Sequence, residues 1–193
     1  MITHIRGKLV EKNPTYAIIE ANGVGYYLNI SLNTFSQLPD DENGFLYTHL
    51  SVREDAHTLY GFSTKTEREI FLLLISVSGV GPSTARTMLS SMTTDEIQHA
   101  IASGDVKVIQ SVKGIGAKTA QRVLVDLKDK ILKSYTIDEV SPISGNSNKD
   151  EALTALEVLG FNKKQSEKVL DRIINQDNSL SVEELIKRAL KNL

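Results

Sequence analysis

The sequence predicts a multidomain chain of mixed α and β structure. A small β-barrel comes first, an all-α middle segment follows, and a three-helix bundle ends the chain. Three observations carry this expectation. The hydrophobic period changes from two to about 3.6 near residue 63. A gapless internal repeat fills much of the middle segment. A stretch rich in Ser, Asn, Gly and Pro, residues 134–149, then separates the middle from the last helices. The expected domains are therefore 1–63, 64–133 and 150–193, with 134–149 as a flexible linker.

Composition narrows the function classes. The 193 residues are 40% hydrophobic and 24% charged, as in ordinary globular chains. No apolar run approaches the roughly 20 residues of a bilayer span, and the opening MITHIRGKLVEK lacks an apolar signal core. Without cysteine there is no disulfide, thiolate metal site or cysteine nucleophile. His4, His49, His57 and His99 are scattered, with no helical pair suited to zinc. We expect no metal, cofactor or catalytic residue, and a cytoplasmic protein.

Five short strands are expected in the first third. Ile5, Gly7 and Leu9 alternate with Arg6 and Lys8. Tyr16 to Glu20, Gly25 to Ile30, Phe45 to Leu50 and Leu59 to Phe62 are rich in aromatic and β-branched residues. Asn22-Gly23 is a two-residue hairpin turn, because both its positions need positive φ. Thr34 to Leu38 is read as one helical turn. Five short strands in so few residues make a small barrel, of which the OB-fold is one kind.

Helices follow. Thr64-Lys-Thr-Glu67 and Thr93-Thr-Asp-Glu96 are capping boxes, in which a hydroxyl accepts the N3 amide and the glutamate reaches back to the cap. Residues 117–133 carry Ala120, Val123, Leu124 and Leu127 on one face. In the last segment Ala152, Leu153, Leu156 and Leu159 form a first helix stopped by Gly160. Asn162 caps a second helix, and Ser181-Val-Glu-Glu184 opens a third.

Charge is uneven. Residues 1–63 carry 4 basic and 7 acidic side chains, residues 64–134 carry 10 and 7, and residues 135–193 carry 8 and 10. Only the middle is basic, so a phosphate-binding surface is expected there. There the repeat lies. Leu74 to Leu89 aligns with Ile109 to Leu124 at a constant offset of 35, and each copy reads as helix, Gly-apolar-Gly turn, helix. Val80 and Ile115 plug inward between the helices of each pair, while Ala85 and Ala120 let those helices approach closely. The turn then offers bare backbone amides at a helix N-terminus, an anion site by its dipole and its free donors. The expected backbone-binding residues are Gly79, Val80, Gly81, Ser83, Thr84 and Arg86 in the first copy. In the second they are Lys113, Gly114, Ile115, Gly116, Lys118, Thr119 and Arg122. Such a grip reads sugar–phosphate shape, not base edges. Gly114 to Thr119 also resembles a nucleotide-binding P-loop, but its glycine spacing is wrong and no apolar strand precedes it.

At these residues the chain resembles the RuvA family. The resemblance rests on Met1-Ile2 with Ile5 to Leu9, Gly23 to Tyr26, Val52 to Asp55, Leu59 to Phe62, both glycine turns, and Leu159 to Phe161. It implies an N-terminal OB-fold, a tandem helix-hairpin-helix domain and a mobile, UBA-like three-helix domain. It also implies that the protein binds Holliday junctions, with RuvB as ATP-driven motor and RuvC as resolving nuclease. A homotetramer would hold the junction open, and a face-to-face octamer stays an alternative. In this family the pair matching Glu54 and Asp55 forms an acidic pin at the junction centre. The last domain is implied to dock on RuvB through exposed apolar surface around Leu159, Phe161 and Leu185. One departure is Ser83-Thr84, where family members often carry a lysine after the first turn.

Two competing readings stay open at the level of sequence. One is a helix-hairpin-helix glycosylase or nuclease using Asp126 or Asp129. The short helices leave little volume for a flipped base, and pairing of Asp126 with Lys130 and Asp129 with Lys133 explains these aspartates more simply. The other is a protein scaffold that never touches DNA.

Overall fold

The computed structural model describes residues 1–39, 43–138, 147–177 and 180–193. The side chains of 133–138 and 147 lie outside that description. The chain divides into two compact units, residues 1–138 and 139–193.

Unit one opens with the OB-fold. Strands β1 (His4–Asn13), β2 (Tyr16–Ala21), β3 (Val24–Asn29), β4 (Asn43–Val52) and β5 (His57–Phe62) close into a barrel in the order β1-β2-β3-β5-β4. The β2–β3 turn is the expected one, with Asn22 at φ 51° and Gly23 at φ 80° between the paired Ala21 and Val24. The parallel closure of β3 on β5, at Asn29 and Tyr60, follows the short helix α1 (Leu32–Gln37). Inward residues Ile5, Ala17, Ile19, Leu28, Ile30, Leu46 and Leu59 fill the barrel. At Gly7 a Cβ would lie 2.0 Å from the Glu20 carbonyl oxygen, so any side chain there would push β1 off β2.

Tyr60 and Phe62 of β5 join a different core. They pack on Phe71, with ring centroids 5.1 and 4.9 Å away, and belong with the apolar residues of the helices that follow. Those helices are α2 (Lys65–Ile75), α3 (Pro82–Ser91), α4 (Thr94–Ser103), α5 (Val106–Gln110) and α6 (Ala117–Asp138). The capping box at Thr93 is complete. At Thr64 only half of it forms. The Thr64 hydroxyl accepts the Glu67 amide at 3.0 Å, but the Glu67 carboxylate turns the other way. It is 2% exposed and accepts from Ser31 Oγ at 2.5 Å, Thr34 Oγ1 at 2.6 Å, and the Ser63 amide and hydroxyl, both at 3.2 Å. Three hydroxyls and an amide fixed around a buried carboxylate outcompete one solvated cap amide.

α6 extends beyond the expected 133, because neither proline nor glycine interrupts 117–138. The segment expected as a linker, 134–149, is thus helical at both ends, since α7 (Ser147–Val158) opens on Ser147-Asn-Lys-Asp150. Residues 139–146 lie outside the described residues.

Unit two continues with α8 (Lys163–Gln176) and α9 (Val182–Ala189). Gly160 ends the first helix at φ 94°, Asn162 caps α8, and the Ser181–Glu184 box is complete. Lys149 Nζ meets Asp171 Oδ1 at 2.5 Å, joining α7 to α8. The small core holds Leu153, Leu156, Leu170, Ile173 and Leu185. Two assignments differ from expectation. Leu159 falls past the end of α7 and is 58% exposed, and Leu185 is buried at 2%. Leu185 sits one turn into α9 on its packed face, so the exposed apolar surface instead gathers at Val158, Leu159 and Phe161.

Candidate nucleic-acid interface

The two repeat copies fold alike down to single hydrogen bonds. The Val80 amide donates to the Val77 carbonyl at 3.0 Å, and 35 residues on the Ile115 amide donates to Val112 at 3.1 Å. Ala85 donates to Gly81 and Ala120 to Gly116, both at 2.9 Å. Gly79 and Gly114 share φ 94°. That value lies in the left-handed region, where glycine carries no Cβ penalty. The plugs Val80 and Ile115 are each 5% exposed, and Ala85 and Ala120 are fully buried.

Each second helix starts with open donors. No side chain caps α3 at Gly81, and the Ser83 and Thr84 amides find no acceptor among the described residues. A Cβ at Gly81, Gly114 or Gly116 would meet nothing within 4 Å. The outer faces of both turns are therefore bare backbone beside a positive helix end.

The cations distribute unequally. Lys113, Lys118 and Arg122 are exposed around the second turn, and Thr119 is half-buried. Arg122 also reaches back, its Nη1 donating to the Ser78 carbonyl of the first turn at 3.3 Å. Thr119 Oγ1 lies 3.7 Å from where a Gly79 Cβ would be, so the two turns are neighbours. The first turn presents Ser83 and Thr84 but not Arg86. The Arg86 guanidinium donates to Asn29 Oδ1 at 2.9 Å and to the Thr15 carbonyl at 3.3 Å, both on the barrel. Periodicity put Arg86 on the right helix; only the tertiary fold could show that the barrel claims it.

Glu54 and Asp55 sit exposed at the tip between β4 and β5, where the Arg53 amide closes the turn on the Ala56 carbonyl at 2.9 Å. The element before the P-loop-like run is helix α5, not a strand. A cavity of about 650 Å³ between α3, α4 and α5 is roomier than the short helices led us to expect. Asp95, Glu96 and Asp105 line it, a setting that repels a phosphate backbone, and Asp126 and Asp129 are not among its lining residues. Asp126 makes no ion pair with Lys130 among the described residues, and the Lys133 side chain lies outside them.

Comparison with known proteins agrees along the whole chain. Residues 1–61 match the family model described as RuvA N terminal domain. Residues 71–129 match the SAM-like Helix-hairpin-helix tandem, and residues 147–193 match the RuvA, C-terminal domain. Among curated relatives, a Holliday junction branch migration complex subunit RuvA of Christiangramia forsetii is 63% identical over the full length of both chains. Proteins of the same name from Flavobacterium psychrophilum and Bacteroides thetaiotaomicron are 58% and 47% identical, again over the full length of both.

Proposed function

This chain belongs to the RuvA family, and from that premise we propose that it is the structure-specific, sequence-independent subunit that binds Holliday junctions for branch migration. The observation that carries the reading is the pair of like-folded glycine turns, each ending in uncapped amides, with exposed lysines beside the second. Backbone amides and cations of this kind hold phosphates regardless of base sequence. Phosphate contacts are made by Gly79, Val80, Gly81, Ser83 and Thr84 in the first hairpin. In the second they are made by Lys113, Gly114, Ile115, Gly116, Lys118, Thr119 and Arg122.

Four copies around a four-fold axis bring eight carboxylates of Glu54 and Asp55 to the crossover. These repel a duplex laid across the centre and favour separated strands. Screening over roughly 8 Å confines the effect to the nearest phosphates. The subunit itself is non-catalytic. RuvB, docked on unit two, supplies ATP hydrolysis, and RuvC resolves the junction. A glycosylase or nuclease is disfavoured by the acidic lining of the cavity between α3, α4 and α5.

The test compares binding to a synthetic four-way junction and to linear duplex, with particle mass measured by light scattering. Glu54→Gln with Asp55→Asn should tighten duplex binding and erase the preference for the junction. Unchanged discrimination would remove the pin from the mechanism, and a wild-type monomer without junction preference would remove the whole reading.

A further inference from the structure

The two hairpins differ in how they are mounted. α3, which carries the first turn, is fastened to the barrel at three places. Arg86 donates to Asn29 Oδ1 and to the Thr15 carbonyl. Asn33 of α1 donates through Nδ2 to the Leu89 and Met92 carbonyls, at 2.7 and 2.9 Å. The Leu32 amide donates to Ser90 Oγ at 3.2 Å. Among the described residues, no hydrogen bond joins the second turn or residues 117–130 of α6 to the barrel.

Asn29 is placed to relay position. Its Nδ2 donates to the Leu59 carbonyl of β5 at 3.4 Å, while its Oδ1 takes the Arg86 guanidinium. β5 is the strand that descends from the acidic tip. A continuous path thus runs from Glu54 and Asp55 along β5 to Leu59, across Asn29 to Arg86, and up α3 to the first turn. The half-buried guanidinium spends Nη1 on the barrel, and the lysine-free Ser83-Thr84 turn adds little charge of its own.

We propose that Arg86 is a positioning residue and not a phosphate ligand. With Asn29 it sets the spacing between the first hairpin and the acidic tip, and through that spacing the preference for four-way over linear DNA. The hairpins then divide the work. The second, with Lys113, Lys118 and Arg122, supplies charge-driven affinity, and the first supplies register. The proposal rests on the reading that the hairpins hold phosphates and the tip faces the crossover.

The experiment measures dissociation constants of the full-length protein for a fluorescent four-way junction and a linear duplex over a series of salt concentrations. The variants are Arg86→Met, Asn29→Ala and their double, with thermal melts to check folding. Each single variant should lower the junction-to-duplex preference about tenfold. The double should lose no more than either single, as for two residues acting through one contact. The slope of log K against log salt should stay that of the wild type, since no phosphate contact is lost. Lys118→Ala should do the opposite, weakening both DNAs alike and reducing the slope by about one.

Asn29→Ala guards against ambiguity, because it leaves Arg86 in place. If Arg86 were a phosphate ligand, freeing it would preserve or strengthen binding, and only Arg86→Met would reduce the slope. That pattern, or intact discrimination in folded variants, overturns the proposal. A wild-type protein that shows no junction preference refutes the functional reading beneath it instead.

Discussion

Gly114 shows how much of a turn is decided by one residue. Its φ of 94° costs glycine little, while a Cβ there meets nothing within 4 Å. The strain of Gly114→Ala is therefore purely conformational, about 1–2 kcal/mol. A urea melt should show that loss without a change in m-value. Gly79 has the same φ, and its added Cβ makes only ordinary contact with Thr119, so Gly79→Ala should cost about the same. His49 gives the chain a pH dependence. Burial holds its imidazole below the ordinary value of 6.5, and the charge of Arg68 adds to this. The unfolded chain takes up that proton first as pH falls. Stability contributed here is therefore whole above about 6.5 and declines below it, toward the depressed folded value. Denaturation midpoints measured between about pH 7.5 and pH 5.5 should fall less steeply for His49→Gln than for the wild type. Residues of this kind divide by legibility. The glycine turns were readable because a 35-residue repeat betrays them. The fates of Arg86 and Glu67 were not, because each is claimed by a partner more than 30 positions away in sequence.

At the scale of elements, local chemistry predicted starts better than ends. All three expected capping serines and threonines accept the N3 amide, because that bond needs only residues three apart. Their glutamates diverge. Glu96 and Glu184 reach back, but Glu67 is drawn into the cluster with Ser31, Thr34 and Ser63. Thr93→Ala removes the hydroxyl that accepts the Glu96 amide, leaving only the backbone half of the box, and should destabilise α4 by about 1 kcal/mol, read from the same denaturant melts. The pKa of Glu96 is lowered by the Thr93 amide and then by its hydroxyl, so this cap holds above the ordinary carboxylate range and weakens as acid protonates it. The end of α6 is not legible in the sequence, because composition at 134–138 is mostly polar, yet nothing there stops a helix.

At the scale of the whole molecule, the proposed duties fall in two units. Unit one holds both glycine turns and the acidic tip, and unit two holds the exposed Val158, Leu159 and Phe161. A protein lacking residues 150–193 should bind four-way junctions with unchanged affinity while failing to stimulate RuvB. ATPase and branch-migration assays check this, and full stimulation by the truncated chain would refute the division. The three-part plan was visible in the sequence through its change of period and its repeat. The fusion of barrel and helices was not, because it depends on which face of β5 meets Phe71.

That shared face has a practical side. Tyr60 and Phe62 lie at the very end of the first domain as its sequence defines it, yet their rings are sheltered by the second. Scissors placed at residue 63 would leave two naked aromatics on a strand terminus, a sticky stump prone to clump. The barrel is thus no portable module: to be handled in isolation it must carry at least α2 along as its lid.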